Sequence, residues 1–440
     1  MFEMTKKTLL SVSIAAAFAG TACAESTVNG PMAFDPIPGS AYNAVNDPAE
    51  PWVIPEGYRQ FIVSDESNLD IYSGIADWGD MNTVNETKKH AGRYMYRTHE
   101  VRPGSDATAS GGAVSVVDLQ DGTAKVVVQR ADWEALDGIV WTPWHTVLFA
   151  EETINAAFPD PQVPQAQSGL VYELKLVDGD PTAAESVTVR PLLGTLSHEG
   201  LEIDAEGNVY VIDEDRSGSI YKFVPEQYGD LSSGQLYALR VKNGGKTGEA
   251  EWVALDMTQA QISARVAAQA EGVKATKYCR PEDMERIAET LYVALTCEDV
   301  NNAANTGGPG AVLAVNLGDT PSVKYLVAPG KNVSFETKPA TGVPGVTGFK
   351  GPDNLANSPD GKLWIVEDND WSDIWVVDPN GADANGDGYP DDVHLFASLK
   401  DKPAEGTGIY FGKDPHTLYV NVQHSGTGND KTMAITNRAE

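Results

Sequence analysis

An all-β fold, a six-bladed β-propeller with loops inserted between blades, is predicted by three features of the chain. A strand signature recurs six times, turn formers follow or precede it, and acidic residues fall in register at the strand ends. The signatures are GRYMYRTHE (92–100), HTVLFAEE (145–152), NVYVIDED (208–215), TLYVALTCED (290–299), KLWIVEDND (362–370) and TLYVNVQH (417–424). Each is rich in the β-branched and aromatic residues that suit a pleated surface. Their starts lie 53 to 82 residues apart, longer than ordinary propeller repeats, so the surplus is expected in inter-blade loops.

A residue able to bind a cation or a proton closes each copy: Glu100, Glu151, Glu214, Glu298, Glu367 and, in the last, His424. The four middle copies carry a second acid upstream. Asp137 precedes Glu151 by 14, Glu199 precedes Glu214 by 15, Glu282 precedes Glu298 by 16 and Asp353 precedes Glu367 by 14. A strand, a tight turn and a returning strand bring such positions to one edge. Turn formers stand at 205–208, 358–361 and 412–415. Both acids of each hairpin are therefore expected on one rim, and a radial arrangement makes them converge on the mouth of a central channel.

The N-terminus reads as an export signal. Lys6 and Lys7 precede an apolar run from Leu9 to Ala19, and Ala22-Cys23-Ala24 supplies an A-x-A cleavage site. Residues 1–24 are thus assigned to a signal peptide cut after Ala24, and 25–440 to one propeller domain in the periplasm or outside the cell. Acylation of Cys23 is the competing reading of the same segment. The apolar run is too short for a permanent membrane span. The whole chain has 63 acidic and 32 basic residues, a formal charge of −31 that becomes −32 once 1–24 are removed. Nucleic acid and anionic membrane surfaces are poor partners for such a chain. A monomer is expected. Cys279 and Cys297 flank one repeat, and a disulfide between them is the default in an oxidising compartment, with thiolate metal ligation as the alternative.

Four segments carry the candidate chemistry. In the segment 196–216, His198, Glu199, Glu214 and Asp215 can meet, and carboxylates are what hard cations take while a histidine admits a borderline metal. In 278–283, Arg280 stands beside Glu282, either as a counter-ion or as a fork for an oxyanion. In 351–355, Asp353 is a candidate ligand, and Asn354 is a neutral oxygen ligand or a donor to substrate. In 383–391, Asp383, Asn385, Asp387 and Asp391 with Gly388 have the rhythm of a peripheral calcium loop, although His394 stands where a closing glutamate is expected. No Gly-rich phosphate loop, G-x-S-x-G elbow or H-E-x-x-H helix is present.

Taken together, these segments resemble the PhoX-type secreted alkaline phosphatases. The matching stretches are Thr98-His99-Glu100, Thr142-Pro143-Trp144 with Glu151-Glu152, His198-Glu199-Gly200, Arg280-Pro281-Glu282, Gly351-Pro352-Asp353-Asn354-Leu355 with Leu363-Trp364, and Thr407-Gly408 with Val420 to His424. They run in family order from about residue 90 to 426. The resemblance implies a six-bladed propeller whose calcium and ferric centre hydrolyses phosphomonoesters, with a small phosphorylated substrate. It implies Glu199, Glu282, Asp353 and Asn354 at the metal centre, Arg280 as an oxyanion contact, and Glu173 as a further calcium ligand. Three departures bear on iron more than on calcium. The family's iron-bound cysteine is replaced in its neighbourhood by Asp137, here a candidate catalytic ligand, the family's T-P-W-G-T becomes Thr142-Pro143-Trp144-His145-Thr146, and the family's twin-arginine signal is absent. The alternative reading is a calcium-stabilised binding propeller, or an esterase or lactonase-like hydrolase that has lost the iron site.

Overall fold

Alternating apolar strands and turn formers fold into a succession of antiparallel meanders. The computed structural model describes residues 30–41, 44–69, 71, 77–103, 111–302, 304–336, 348–369 and 371–438. The expected signal peptide lies outside the described residues. The first meander contains Gly79–Val84, Tyr94–His99, Ala113–Asp118 and Ala124–Gln129, and the second Leu136–Trp141, Val147–Glu151, Val171–Val177 and Asp180–Val189. The third has Leu201–Ile203, Val209–Ile212, Ile220–Gln227 and Asp230–Val241, followed by Gly248–Ala254. The fourth has Pro281–Ile287, Thr290–Leu295, Ala311–Asn316 and Ser322–Val327. Gly248 and Glu249 pair with Val323 and Ser322, which fuses the third and fourth into one nine-stranded sheet.

The fifth meander contains Pro352–Asn357, Leu363–Glu367, Asp373–Val377 and Val393–Leu399, with Trp52–Val53 on its edge. The last contains Glu405–Phe411, Thr417–Gln423 and Lys431–Thr436, and its fourth strand is Arg59–Asp65, from near the beginning of the chain. Each sequence signature forms the second strand of a meander. The first strands touch one another in chain order, and Glu405–Phe411 returns to Gly79–Val84, so they form a closed ring. Among the described residues, no helix is long and apolar enough to cross a membrane.

Side chains on both faces of the strands are buried because each meander packs on two neighbours. Trp133, Phe149 and Tyr172 sit between the first and second, and Trp52, Trp364 and Phe396 between the fifth and the last. Val84, Met95 and Val117 pack against Tyr410 and Tyr419 where the ring closes. Burying one such large side chain contributes about 1.5–3 kcal/mol, so the packing between meanders holds the first strands at fixed spacing.

The first strands carry a local irregularity that matters for function. Their ladders shift register between Gly79 and Asn82, Leu136 and Ile139, Pro281 and Met284, and Pro352 and Leu355. In each case the interruption contains an acid: Asp80, Asp137, Glu282 or Asp353. A bulge bends its strand and re-aims the side chain. Adjacent first strands also approach so closely that a side chain would not fit. A Cβ on Gly138 would lie 1.8 Å from the Glu199 carbonyl oxygen, and one on Gly200 would lie 2.5 Å from the Met284 nitrogen.

Gly138→Ala must therefore displace the backbone that carries Glu199, and should cost about 1–3 kcal/mol in urea denaturation. Gly272→Ala, at the end of a short helix with open space around it, should cost nothing. Equal stabilities for the two variants would contradict this packing.

Candidate metal centre

Ten carboxylates from all six meanders meet inside the ring of first strands. They are Asp80, Glu100, Asp137, Glu152, Glu199, Glu214, Glu282, Asp353, Asp368 and Glu405, linked by mutual electrostatic repulsion. Three groups have one oxygen from each member within 4.8 Å of the others: Asp80, Glu100 and Asp137; Glu152, Glu199 and Glu214; and Glu199, Glu282 and Asp353. Glu199 belongs to two groups and links them.

A repeated backbone hydrogen bond places four of these acids. The N–H that follows the second strand returns to a carbonyl ahead of the first. The pairs are Glu100 to Trp78 (3.0 Å), Glu152 to Ala135 (2.9 Å), Glu214 to Ser197 (2.9 Å), Thr296 to Arg280 (3.0 Å) and Asp368 to Gly351 (2.9 Å). Whatever side chain stands at that position faces the centre. Because side chains alternate along a strand, the preceding one turns away.

This parity corrects three of the expected acids. Glu151 accepts the N–H groups of Glu134, Gly169 and Leu170, and the central place belongs to Glu152. Glu367 accepts from Lys350 N–H and Trp375 Nε1, and Asp368 is central. Glu298 accepts from Cys279 N–H and pairs with Lys246 at 3.2 Å, and Thr296 takes the central place, its hydroxyl bonded to Glu282. With the corrected residues, Asp137 to Glu152, Glu199 to Glu214 and Asp353 to Asp368 are all 15 apart.

Other expected residues also lie elsewhere. Glu173 is held by Trp144 Nε1, the Thr146 hydroxyl and Arg190, and does not join the central acids. His198 is fully buried, with Nε2 on the Gly194 carbonyl, and burial lowers its pKa to about 4. In the loop 383–391, Asp383 and Asn385 accept the Asp387 N–H, Asp387 accepts from Tyr389 and Asp391 from Ala384. Those oxygens cap an exposed turn. Cys279 and Cys297 form a disulfide with 5.2 Å between Cα atoms, which corrects the thiolate-ligand alternative.

Asn354 is at the centre's edge but is already committed. Its Oδ1 accepts the Gly408 N–H at 2.5 Å and its Nδ2 donates to Asp353 at 3.3 Å. It therefore orients Asp353 and does not present a free oxygen. Gln423, missed in the sequence, donates to Glu100 at 2.7 Å and Asp80 at 3.2 Å. Asp80 and Glu405 were missed as well. They precede Glu100 and His424 by 20 and 19 residues, and the rule drawn from the middle hairpins could have found them if longer turns had been allowed.

Three cationic groups enter this cluster, the first being Arg102, whose Nη2 lies 3.1 Å from Glu152. Arg280 Nε lies 2.7 Å from Glu214 and 2.9 Å from Glu282. Burial lowers the Arg280 pKa, but the surrounding carboxylates outweigh it and raise the net value. His424 Nε2 is 3.1 Å from Glu405, whose hydrogen bond raises the imidazole. Glu405 itself is pushed up by burial, and its bonds to His424 and Asp368 bring it below the usual range.

Three cations do not balance ten acids. Desolvation first, and neighbouring carboxylates second, hold Asp80, Asp137, Glu199, Glu282 and Asp353 well above the usual range. Burial similarly raises Glu214 and Asp368 to about 7. Asp137 Oδ1 and Glu282 Oε2 are buried without a hydrogen-bond partner. Unpartnered, desolvated carboxylate oxygens in triads are a donor set that fits hard cations. A soft thiolate donor is excluded by the disulfide.

Comparison with known proteins gives a family and a fold. The family model described as Alkaline phosphatase PhoX matches residues 140–426. No curated protein matches. The structure of Pseudomonas fluorescens PhoX in complex with vanadate, a transition state analogue, is similar with a TM-score of 0.63 and 19% identity, over 92% of this chain and 98% of that one. A gluconolactonase from Xanthomonas campestris has a TM-score of 0.46 and 14% identity, over 89% and 96%. A virginiamycin B lyase from Staphylococcus aureus, solved with quinupristin, has a TM-score of 0.42 and 12% identity, over 86% and 99%.

Acids whose folded pKa exceeds the unfolded value bind more protons when folded, so rising pH destabilises the fold. In cation-free buffer the thermal midpoint should fall from about pH 4.5 through 7, and calcium should flatten that slope. A midpoint that climbs over this window without cations would rule out the uncompensated cluster.

Proposed function

Since the chain belongs to the PhoX alkaline phosphatase family, we propose that it is a metal-dependent phosphomonoesterase built as a six-bladed propeller. The observation that carries this reading is the ring of ten clustered carboxylates, four buried and six partly buried, with Arg280 set among them. A bare acidic mouth repels a phosphate dianion, and bound cations reverse the local sign. The triads containing Asp80, Glu100 and Asp137, Glu152 and Glu214, and Glu199, Glu282 and Asp353 would hold those ions. Calcium suits the all-oxygen set, and ferric iron, also hard, suits it in the absence of the family's cysteine. Bound there, such cations supply Lewis-acid polarisation of phosphorus and a nucleophile available at neutral pH.

The chain's own residues do the rest. Carboxylates fixed by the backbone keep the cations apart and in place. Asn354 and Gln423 hold Asp353, Glu100 and Asp80 in orientation. Arg280 projects its guanidinium toward the phosphate, where its planar fork matches two phosphoryl oxygens and stabilises the charge that gathers on them. His424 and Glu405 pair on the last meander and keep one sector of the mouth less negative. Export to the periplasm or beyond follows from the signal-like segment 1–24 together with the disulfide, which oxidising compartments favour.

Hydrolysis of a chromogenic phosphomonoester should disappear on chelation and return with calcium, with iron added if metal analysis finds it in the purified protein. Activity indifferent to chelators would end the proposal, and calcium-loaded protein inert toward phosphomonoesters would favour the binding or lactonase-like reading. Arg280→Gln should lower kcat/KM by about 100-fold or more while metal content stays unchanged.

A further inference from the structure

We propose that Trp78 is the wall that receives the alcohol part of the substrate, favouring phosphomonoesters whose alcohol carries a planar ring. This rests on the phosphoesterase reading above. The inference starts from register. Two residues before the leading acid of each meander stand Trp78, Ala135, Ser197, Arg280, Gly351 and Pro403. The carbonyls of the first five accept the repeated N–H bond described above. That bond ties each of the five to the inward-facing residue of the neighbouring strand, so these positions form a second ring beside the acids.

Four members of that outer ring are small or lack a reaching side chain. Only Trp78 and Arg280 are large, and they come from the first and fourth meanders, three steps apart in a closed ring of six. They therefore stand on opposite sides of the mouth. Like Ala135 in the same ring, both are held at φ 46°, the left-handed region, a conformation that costs a tryptophan more than it costs a small residue. The surrounding structure enforces it: Asp430 accepts the Trp78 N–H at 3.1 Å, and the Trp78 carbonyl accepts from Glu100.

The indole lies within two contacts of the acids. Its ring centroid is 5.4 Å from that of His424, at 61°, and His424 reaches Glu405 at 3.1 Å. Trp78 is half-buried and the His424 side chain is 41% exposed, so this sector of the mouth is open. A phosphate drawn to the cations and Arg280 leaves its ester group pointing across the mouth. There the indole offers an apolar, polarisable surface on which a ring stacks.

The test compares a nucleoside 5′-monophosphate with glycerol 3-phosphate in the full, calcium-supplemented protein. Trp78→Ala should lower kcat/KM for the nucleotide at least five-fold and leave the glycerol ester within two-fold, and Trp78→Phe should retain most of the preference. Trp78→Gly, which removes the ring and relieves the left-handed backbone, gives the same readout should the alanine variant not fold. Equal effects on both esters, or none, overturn the role of Trp78 while leaving the phosphoesterase intact. A native protein that hydrolyses neither ester refutes the phosphoesterase reading itself.

Discussion

Ten carboxylates gathered around one axis, four of them buried and six partly so, create a charge that the polypeptide does not neutralise. Arg102, Arg280 and His424 offset only a small part of it. The rest must be met by protons, which the raised pKa values of Asp80, Glu199 and Asp353 express, or by cations. Every other feature of the central site serves this arrangement. Desolvation makes the carboxylates costly when unpaired and makes a multivalent ion at the same place correspondingly favourable.

What keeps the acids together against their repulsion is the packing between meanders, remote from the charges themselves. Trp133, Phe149 and Tyr172 on one side and Trp52, Trp364 and Phe396 on another hold the first strands at fixed distances. Close approach of backbones at Gly138 and Gly200 leaves no slack near Glu199. The bulges then turn Asp80, Asp137, Glu282 and Asp353 inward. Strain in the outer ring, at Trp78 and Arg280, belongs to the same economy: tertiary structure imposes conformations that the local sequence disfavours.

The family match and the geometry support each other without being the same argument. Membership speaks to phosphatase chemistry, and the geometry speaks to where cations and a phosphate can sit. Among the described residues both cysteines are joined in a disulfide, and Asp137 stands at the centre as a carboxylate. Its donors are accordingly all hard. The neutral clamps, Asn354 and Gln423, restrain individual carboxylates without adding charge.

The amino-acid sequence alone determined the six strand signatures, the hairpins and the leading acids Asp137, Glu199, Glu282 and Asp353, because these depend on short-range periodicity and spacing. It also marked Glu100, Glu214 and His424 correctly as residues ending a strand on the inner side. It could not decide between Glu151 and Glu152, or between Glu367 and Asp368, because one step of register turns a side chain from the axis into the packing between strands. Glu298 was misplaced for a related reason, since the strand ends at Leu295 and Thr296 takes the inward position. Asp80 and Glu405 were hidden by longer turns. Glu173 and the 383–391 loop show the other limit: a carboxylate in a suggestive motif is claimed by whichever partner lies nearest in space, Arg190 in one case and backbone N–H groups in the other. Local spacing thus named the kinds of residue and the hairpins that carry them, and only the closed ring of strands settled which oxygens meet.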